Sequence, residues 1–400
     1  MTPKQTGKNN LLKFRFRLLG LIIATCAAFT LMPNTSLANS NPWILLDAEN
    51  GNVIAHHQAT RPWYPASITK LMTAYTIFRE IKSGKVDLKS PVRVSSKALA
   101  LPPSKMGLPV GTILNIDNAL KMIMVKSAND IAAALAQSVG GSIASFSKLM
   151  NKNAKRLGMN GSHFENPHGL HDWDQVTTAR DMALLALAIQ NEFPQHSHYF
   201  DISAIRFGKT RMKNHNALIY KFPGTNGMKT GYTCPSGLNI VARAERDGRK
   251  LMVVVLGGYS SVERNSQAAK LLQQGFDSLF HNPVIPVDTH VRNVQPDMNI
   301  YAVPANLRVM ICKPSWSERQ MTKKQRRSNR KTYLAKMKIL RDTYLNNAAK
   351  PGPTQIVALG KATGLNPFKF KVRNGSTPPI IIATPAWRPD RSAPPYAEFE

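Results

Sequence analysis

Residues Tyr64 to Glu80, Y-P-A-S-I-T-K-L-M-T-A-Y-T-I-F-R-E, fix both a helix and a pair of reactive side chains. Pro65 belongs to the first turn, and Leu71, Met72, Tyr75, Ile77 and Phe78 then recur at helical spacing, which predicts a helix starting at or just before Ser67. Residues three apart on a helix share a face with Cβ atoms about 5–6 Å apart, so the Lys70 amine can reach the Ser67 hydroxyl. A serine hydroxyl is a weak nucleophile without a partner to take its proton, and lysine can be that partner only if burial or another cation lowers its pKa. The helix start adds free backbone N–H groups directed at whatever binds there. Taken alone, S-x-x-K reads as ordinary, a capped helix start with a solvated lysine, and the rest of the chain must decide.

At 400 residues the chain exceeds one ordinary domain, and 43% hydrophobic residues suffice for a substantial core, which excludes disorder throughout. A net charge of +30 calls for an anionic partner: nucleic acid, an acidic membrane surface or an anionic polymer. Lys4, Lys8, Lys13, Arg15 and Arg17 precede an apolar run from Leu18 to Met32, and Ser36-Leu37-Ala38 places small residues where a signal peptidase reads. Residues 1–38 are therefore expected to be a secretory signal cleaved after Ala38. The run is short for a membrane span, an uncleaved anchor being the alternative, and Thr25 disfavours lipidation at Cys26. Cleavage removes five cations and no anions, leaving about +25. The expected location is the periplasm or cell envelope, where nucleic acid is not a partner and envelope polymers or anionic lipid are.

After the signal only Cys234 and Cys312 remain, and an exported protein could pair them or keep both as buried thiols. Two cysteines, and histidines without H-E-x-x-H or comparable spacing, give no metal site, and no cofactor is expected. His56, His57, His163, His168, His171, His196 and His198 read as loop and surface residues. Trp43 to Leu46 and Val53 to Ala55 flank Asn50-Gly51, a hairpin signal, and the proline-rich stretch Ala98 to Gly111 reads as an irregular surface excursion. Asn115 to Ala136 reads as helix interrupted at Ser127, Asn129 and Asp130. These either cap the next helix or form a polar tip facing a cleft. Leu238 to Ala244 and Leu251 to Leu256 form a hairpin about Asp247-Gly248, with Lys229-Thr230-Gly231 on or beside an edge strand before it. Gly231, lacking a side chain, would let a ligand approach that strand.

S-x-x-K at 67, S-x-N at 127 and K-T-G at 229 occur in the order of the serine penicillin-recognising signature. With Asn166-Pro167-His168-Gly169-Leu170, Ala179-Arg180-Asp181 and the surroundings of Lys229 from Gly227 to Thr233, the chain from about Trp43 to Phe280 resembles the low-molecular-mass penicillin-binding proteins that act as serine-type D-alanyl-D-alanine carboxypeptidases. The resemblance implies an α+β fold, an antiparallel sheet flanked by helices plus a helical subdomain, within a D,D-peptidase domain at 39–281. Local patterns agree: strands at 43–56 and 238–257, and helices at about 66–81, 116–150, 178–191 and 264–280. It also implies roles. Ser67 attacks the carbonyl of the penultimate D-alanine of a peptidoglycan stem peptide and Lys70 takes its proton. Backbone N–H groups of Ser67 and Tyr232 hold the oxyanion, Ser127 relays a proton, and Asn129 orients Lys70 and the substrate amide. Lys229 and Thr230 receive the terminal carboxylate, with Gly231 beside them and Arg264 nearby. His168 and Asp181 shape the loop beneath, and penicillins act as covalent inhibitors.

A class A β-lactamase would need a glutamate-bearing loop, and Glu165-Asn166-Pro167 has the wrong spacing for one. A D,D-endopeptidase cutting crosslinks, or a non-catalytic peptidoglycan-binding scaffold, are the other readings, and the intact Ser67, Lys70 and Lys229 argue against the scaffold. Residues 282–400 form a basic, Pro-rich C-terminal region whose fold the sequence leaves open. Within it the cations from Lys323 to Lys331 precede Tyr333, Leu334, Met337, Leu340, Tyr344 and Leu345 at helical spacing. Residues 320–350 are therefore either a basic amphipathic helix for an anionic membrane surface or a solvated helix or tail.

Overall fold

The computed structural model describes residues 41–278, 289–295, 303–312, 322–345, 354–358 and 362–368. The expected signal at 1–38 and the proline-rich end of the chain lie outside these. Two hairpins and an edge strand build the main sheet: β1 (Trp43–Asp47), β2 (Val53–His57), β7 (Thr225–Thr233), β8 (Gly237–Arg246) and β9 (Arg249–Gly258), in antiparallel order β2-β1-β9-β8-β7. Side chains alternate faces along a strand, so a strand covered on both sides reads as a continuous apolar run. That is the case for W-I-L-L-D: Ile44 and Leu46 join one buried cluster and Leu45 the other. β9 divides likewise, with Met252, Val254 and Leu256 on one face and Leu251, Val253 and Val255 on the other.

A helical body covers the first face. A 3₁₀ turn at Ala66–Ile68 leads into α1 (Thr69–Lys82), whose residues 69–78 are all buried. A helix without a solvent face belongs at the centre of a domain, and helices close around it: α2 (Ile116–Val125), α3 (Asn129–Gly140), α4 (Ile143–Leu157) and α5 (Ala179–Glu192). The segment expected as helix over 116–150 is thus three helices. The break at 127–128 is where the sequence placed it. The second comes where Gly141, at φ +82°, ends α3 and Ser142 caps α4 by accepting from Ser145 N. The other sheet face is covered by α6 (Ser261–Phe276), capped by Ser260, so this helix starts three residues before the expected 264 and places Arg264 one turn inside.

Smaller pairings complete the structure: β3 (Pro91–Arg93) with β4 (Ile113–Asn115), and β5 (Ala204–Phe207) with β6 (Thr210–Lys213). The described C-terminal segments lie on this framework. The turn α7 (Arg308–Cys312) is joined to the end of β7 by a Cys234–Cys312 disulfide, so the two thiols the sequence left open are paired. The basic helix α8 (Lys323–Tyr344) packs along α6, and β10 (Thr354–Ile356) adds in parallel to β5.

Candidate active site

Ser67 sits in the 3₁₀ turn ahead of α1, and several backbone bonds set that turn. Asn239, fully buried in β8, donates to the carbonyls of Tyr64 and Pro65 at 2.9 and 3.0 Å and accepts from Gly257 N at 2.9 Å. The Trp63 indole donates to Ser236 O. Opposite, a Cβ at Gly169 would lie 1.9 Å from Ala66 O, and one at Gly231 would lie 2.8 Å from Ser67 N. Both neighbours approach as closely as glycine permits. Ala66, at φ +47°, and Ser127, at φ +59°, hold left-handed backbone that ordinarily costs about 1–2 kcal/mol in a non-glycine residue. Such outliers concentrate at functional sites.

The three motifs converge. Lys70 Nζ stands 3.0 Å from Ser67 Oγ, 2.8 Å from Asn129 Oδ1 and 2.6 Å from His168 O. A neutral amine has two N–H donors and one lone pair, and this shell offers it two carbonyl oxygens and one hydroxyl. Burial, then the Lys229 charge, holds the Lys70 pKa well below that of an ordinary lysine, with Asp130 opposing. Lys229, on β7, donates to Ser127 Oγ at 3.0 Å and to Thr230 O at 2.9 Å, and burial followed by Arg264 brings its pKa down to about 7. A nucleophile, a base beside it and a second cation thus share one cleft.

Neither Ser127 nor Asn129 caps α3. Ala128 occupies the N-cap without a side-chain bond, and the two polar side chains turn to the lysines instead. The stretch Ala98 to Gly111 is more than a surface excursion. Asn129 donates to Pro102 O, its amide to Ser104 O, and the Asp130 carboxylate accepts from the amides of Met106 and Gly107, so this loop encloses the polar tip. Arg264 is buried, bonds the Asn265 carboxamide and acts on Lys229 through its charge. Tyr232 follows Gly231 and is 45% exposed at the cleft margin. Thr230 lies buried beside Lys229.

His168 and His196 are buried, contrary to their reading as surface residues. The His168 ring is held neutral by burial and the Lys70 charge, its pKa down to about 3, while its carbonyl serves Lys70. His196 stacks on Phe78 at 4.4 Å. Asp181 shapes the loop as expected, accepting from Gly161 N and Ser162 Oγ. Two residues escaped the sequence reading. Asn239 was visible as the one carboxamide inside the apolar run Leu238 to Ala244. His215, whose pKa burial and then Lys229, Lys126, Arg264 and Lys70 depress to about 3, carries no local signal.

Fold and side chains together define the class of the penicillin-recognising serine proteins. Residues 30–260 match the D-alanyl-D-alanine carboxypeptidase family, and the chain belongs to that family. It is 36% identical over 256 residues to the D-alanyl-D-alanine carboxypeptidase DacC of Escherichia coli, covering 62% of this chain and 64% of that one. The crystal structure of the D-alanyl-D-alanine carboxypeptidase DacD from Francisella tularensis superposes with a TM-score of 0.57 at 30% identity, over 60% of this chain and 70% of that one. Penicillin-binding protein D2 of Listeria monocytogenes in its ampicillin-bound form gives 0.52 at 25%, over 59% and 97%. The chain spans less than two-thirds of the length of curated relatives that it matches, 64% and 61% for those of Escherichia coli and Haemophilus influenzae.

Proposed function

We propose that this chain is an exported serine D,D-carboxypeptidase that removes the terminal D-alanine from peptidoglycan stem pentapeptides through a Ser67 acyl-enzyme and is acylated by penicillins. The observation that carries this is the placement of Lys229: a buried cation held by Ser127, next to Thr230 on the sheet-edge strand and in the same cleft as the Ser67–Lys70 pair. A cation beyond the scissile bond selects substrates ending in a free carboxylate, which is the demand of an exopeptidase. Ser67 Oγ forms the acyl bond as Lys70 takes its proton. Ser127, bonded to Lys229, passes its hydroxyl proton to the departing amine of D-alanine and takes back the one that Lys70 accepted, so Lys70 is neutral again and serves as base when water hydrolyses the ester. The amides of Ser67 and Tyr232 serve as oxyanion donors, each worth about 3–4 kcal/mol of transition-state stabilisation. Purified protein is expected to release free D-alanine from a pentapeptide. Cleavage of crosslinked dimers without D-alanine release would replace this reading with the endopeptidase one.

We also propose that α8 holds the protein at an anionic membrane surface, chiefly by charge. Part of its apolar stripe packs on α6, where Met337 and Leu345 are buried and Ser266 Oγ donates to Leu340 O, while Leu334 and Ile339 stay exposed. Lys324, Arg327, Arg330, Lys331, Lys336 and Lys338 are exposed. Each cation near such a surface is worth about 1 kcal/mol at most and is screened by salt. Binding to phosphatidylserine vesicles is expected at low salt and to be lost in Arg327→Glu/Arg330→Glu/Lys331→Glu; equal partition of wild type and variant would end the idea.

A further inference from the structure

Resting on the carboxypeptidase reading, we infer that the disulfide-tethered turn α7 forms a specificity wall and that Arg308 binds a carboxylate on the residue preceding the D-Ala-D-Ala end of the substrate. The direction of the bound peptide follows from two fixed points. With its terminal carboxylate at Lys229 and Thr230 and its scissile carbonyl between Ser67 and the Tyr232 amide, a peptide runs antiparallel to β7, a free sheet edge able to accept an added strand. Its earlier residues therefore pass Thr233 and Cys234, about 3.3 Å per residue along the strand.

That is where α7 stands. Cys312 is bonded to Cys234, its Sγ lies 3.1 Å from Tyr232 Oη, and Leu307, buried in the main core, donates its amide to Pro235 O. Arg308 and Cys312 are one helical turn apart and share a face, so the face tethered to the end of β7 also carries the guanidinium. Arg308 is exposed, and no carboxylate among the described residues lies within ion-pair distance of it. On the other side stands the loop that supplies His168 O to Lys70. Its His171 packs edge-on against Tyr64 and Trp173, and burial and then the Arg308 charge lower its pKa, with Asp172 opposing. The Arg308 charge thus reaches the loop whose Gly169 packs against the Ser67 turn. All of α7 lies beyond residue 260, where the family match ends.

The test uses two N-acetylated tripeptides, L-Glu-D-Ala-D-Ala and its L-Gln counterpart, competing against slow acylation of Ser67 by a fluorescent penicillin, with D-alanine release followed in parallel. The glutamate peptide is expected to protect at about tenfold lower concentration, the scale of one charge-assisted hydrogen bond at an open site. The ratio should fall to near one in Arg308→Gln and survive in Arg308→Lys, which a merely structural role would not produce. Equal protection by the two peptides in wild type, or an unchanged ratio in Arg308→Gln, overturns the inference. Selective protection without D-alanine release would leave Arg308 its role and overturn the carboxypeptidase reading instead.

Discussion

Ser67→Ala should give no covalent adduct with benzylpenicillin by mass spectrometry and release no D-alanine, and Lys70→Ala should slow acylation about 10²–10⁴-fold, the range for loss of a positioned general base. The two variants separate roles. Without Ser67 there is no atom to acylate, whereas without Lys70 the nucleophile stays 3.0 Å from an empty space where its base stood. The pH dependence carries a sign. The two buried lysines share one cleft, and the first proton lost belongs to the pair; it comes from Lys70, because Lys229 repels it while Lys229 keeps the Ser127 hydroxyl and Thr230 carbonyl as acceptors. On the proposed mechanism the active form has Lys70 neutral and Lys229 charged. Acylation therefore rises with pH as Lys70 loses its proton and falls as Lys229 loses its own, from about 7 upward in the free enzyme. A bound carboxylate raises the Lys229 pKa, so the fall should set in at lower pH in kcat/KM than in kcat. A rate that climbs without a fall to pH 10 would remove Lys229 from substrate binding.

Gly169→Ala should disable the site from outside the three motifs, lowering the acylation rate about 10²-fold, the scale of a misplacement of about 1 Å in a positioned group. The reason is backbone against backbone. Gly169 has φ +84°, and a methyl there would meet Ala66 O at 1.9 Å and Ala66 C at 2.4 Å, neither of which can rotate away. The loop must lift, taking His168 O from Lys70 and freeing the turn that carries Ser67. Gly84→Ala is the control: it has φ +73° with nothing within 4 Å, so it reports only the left-handed cost of about 1–2 kcal/mol. Thermal melts and acylation rates of the two variants decide the matter. If Gly169→Ala behaves like Gly84→Ala, the close approach is not what holds the nucleophile.

Ser67, Lys70, Ser127, Asn129, Lys229 and Thr230 were legible in the sequence because each motif is short and its chemistry depends on residue type at fixed spacing. The sheet was legible for a related reason: Asn50-Gly51 and Asp247-Gly248 are turn signals, and runs such as Leu251 to Leu256 can only be buried on both faces. Cap chemistry left 127 and 129 open, since Ser and Asn are good N-caps in isolation, and the nearness of two buried lysines turns them from the helix end toward the site. The break at Gly141-Ser142 was written in residues of the right kind and passed over.

By itself the sequence determined which atoms can react and in which order along the chain they occur, because a nucleophile, a base and a carboxylate-binding cation are properties of side chains. The depressed pKa values of Lys70 and Lys229, the hold of Asn239 and Gly169 on the Ser67 turn, and the position of Arg308 were decided only by tertiary structure. Each depends on burial or on distance between segments far apart in the chain, such as Tyr64 and Pro65, which lie 175 and 174 positions from Asn239, and neither burial nor distance is a property of any local stretch.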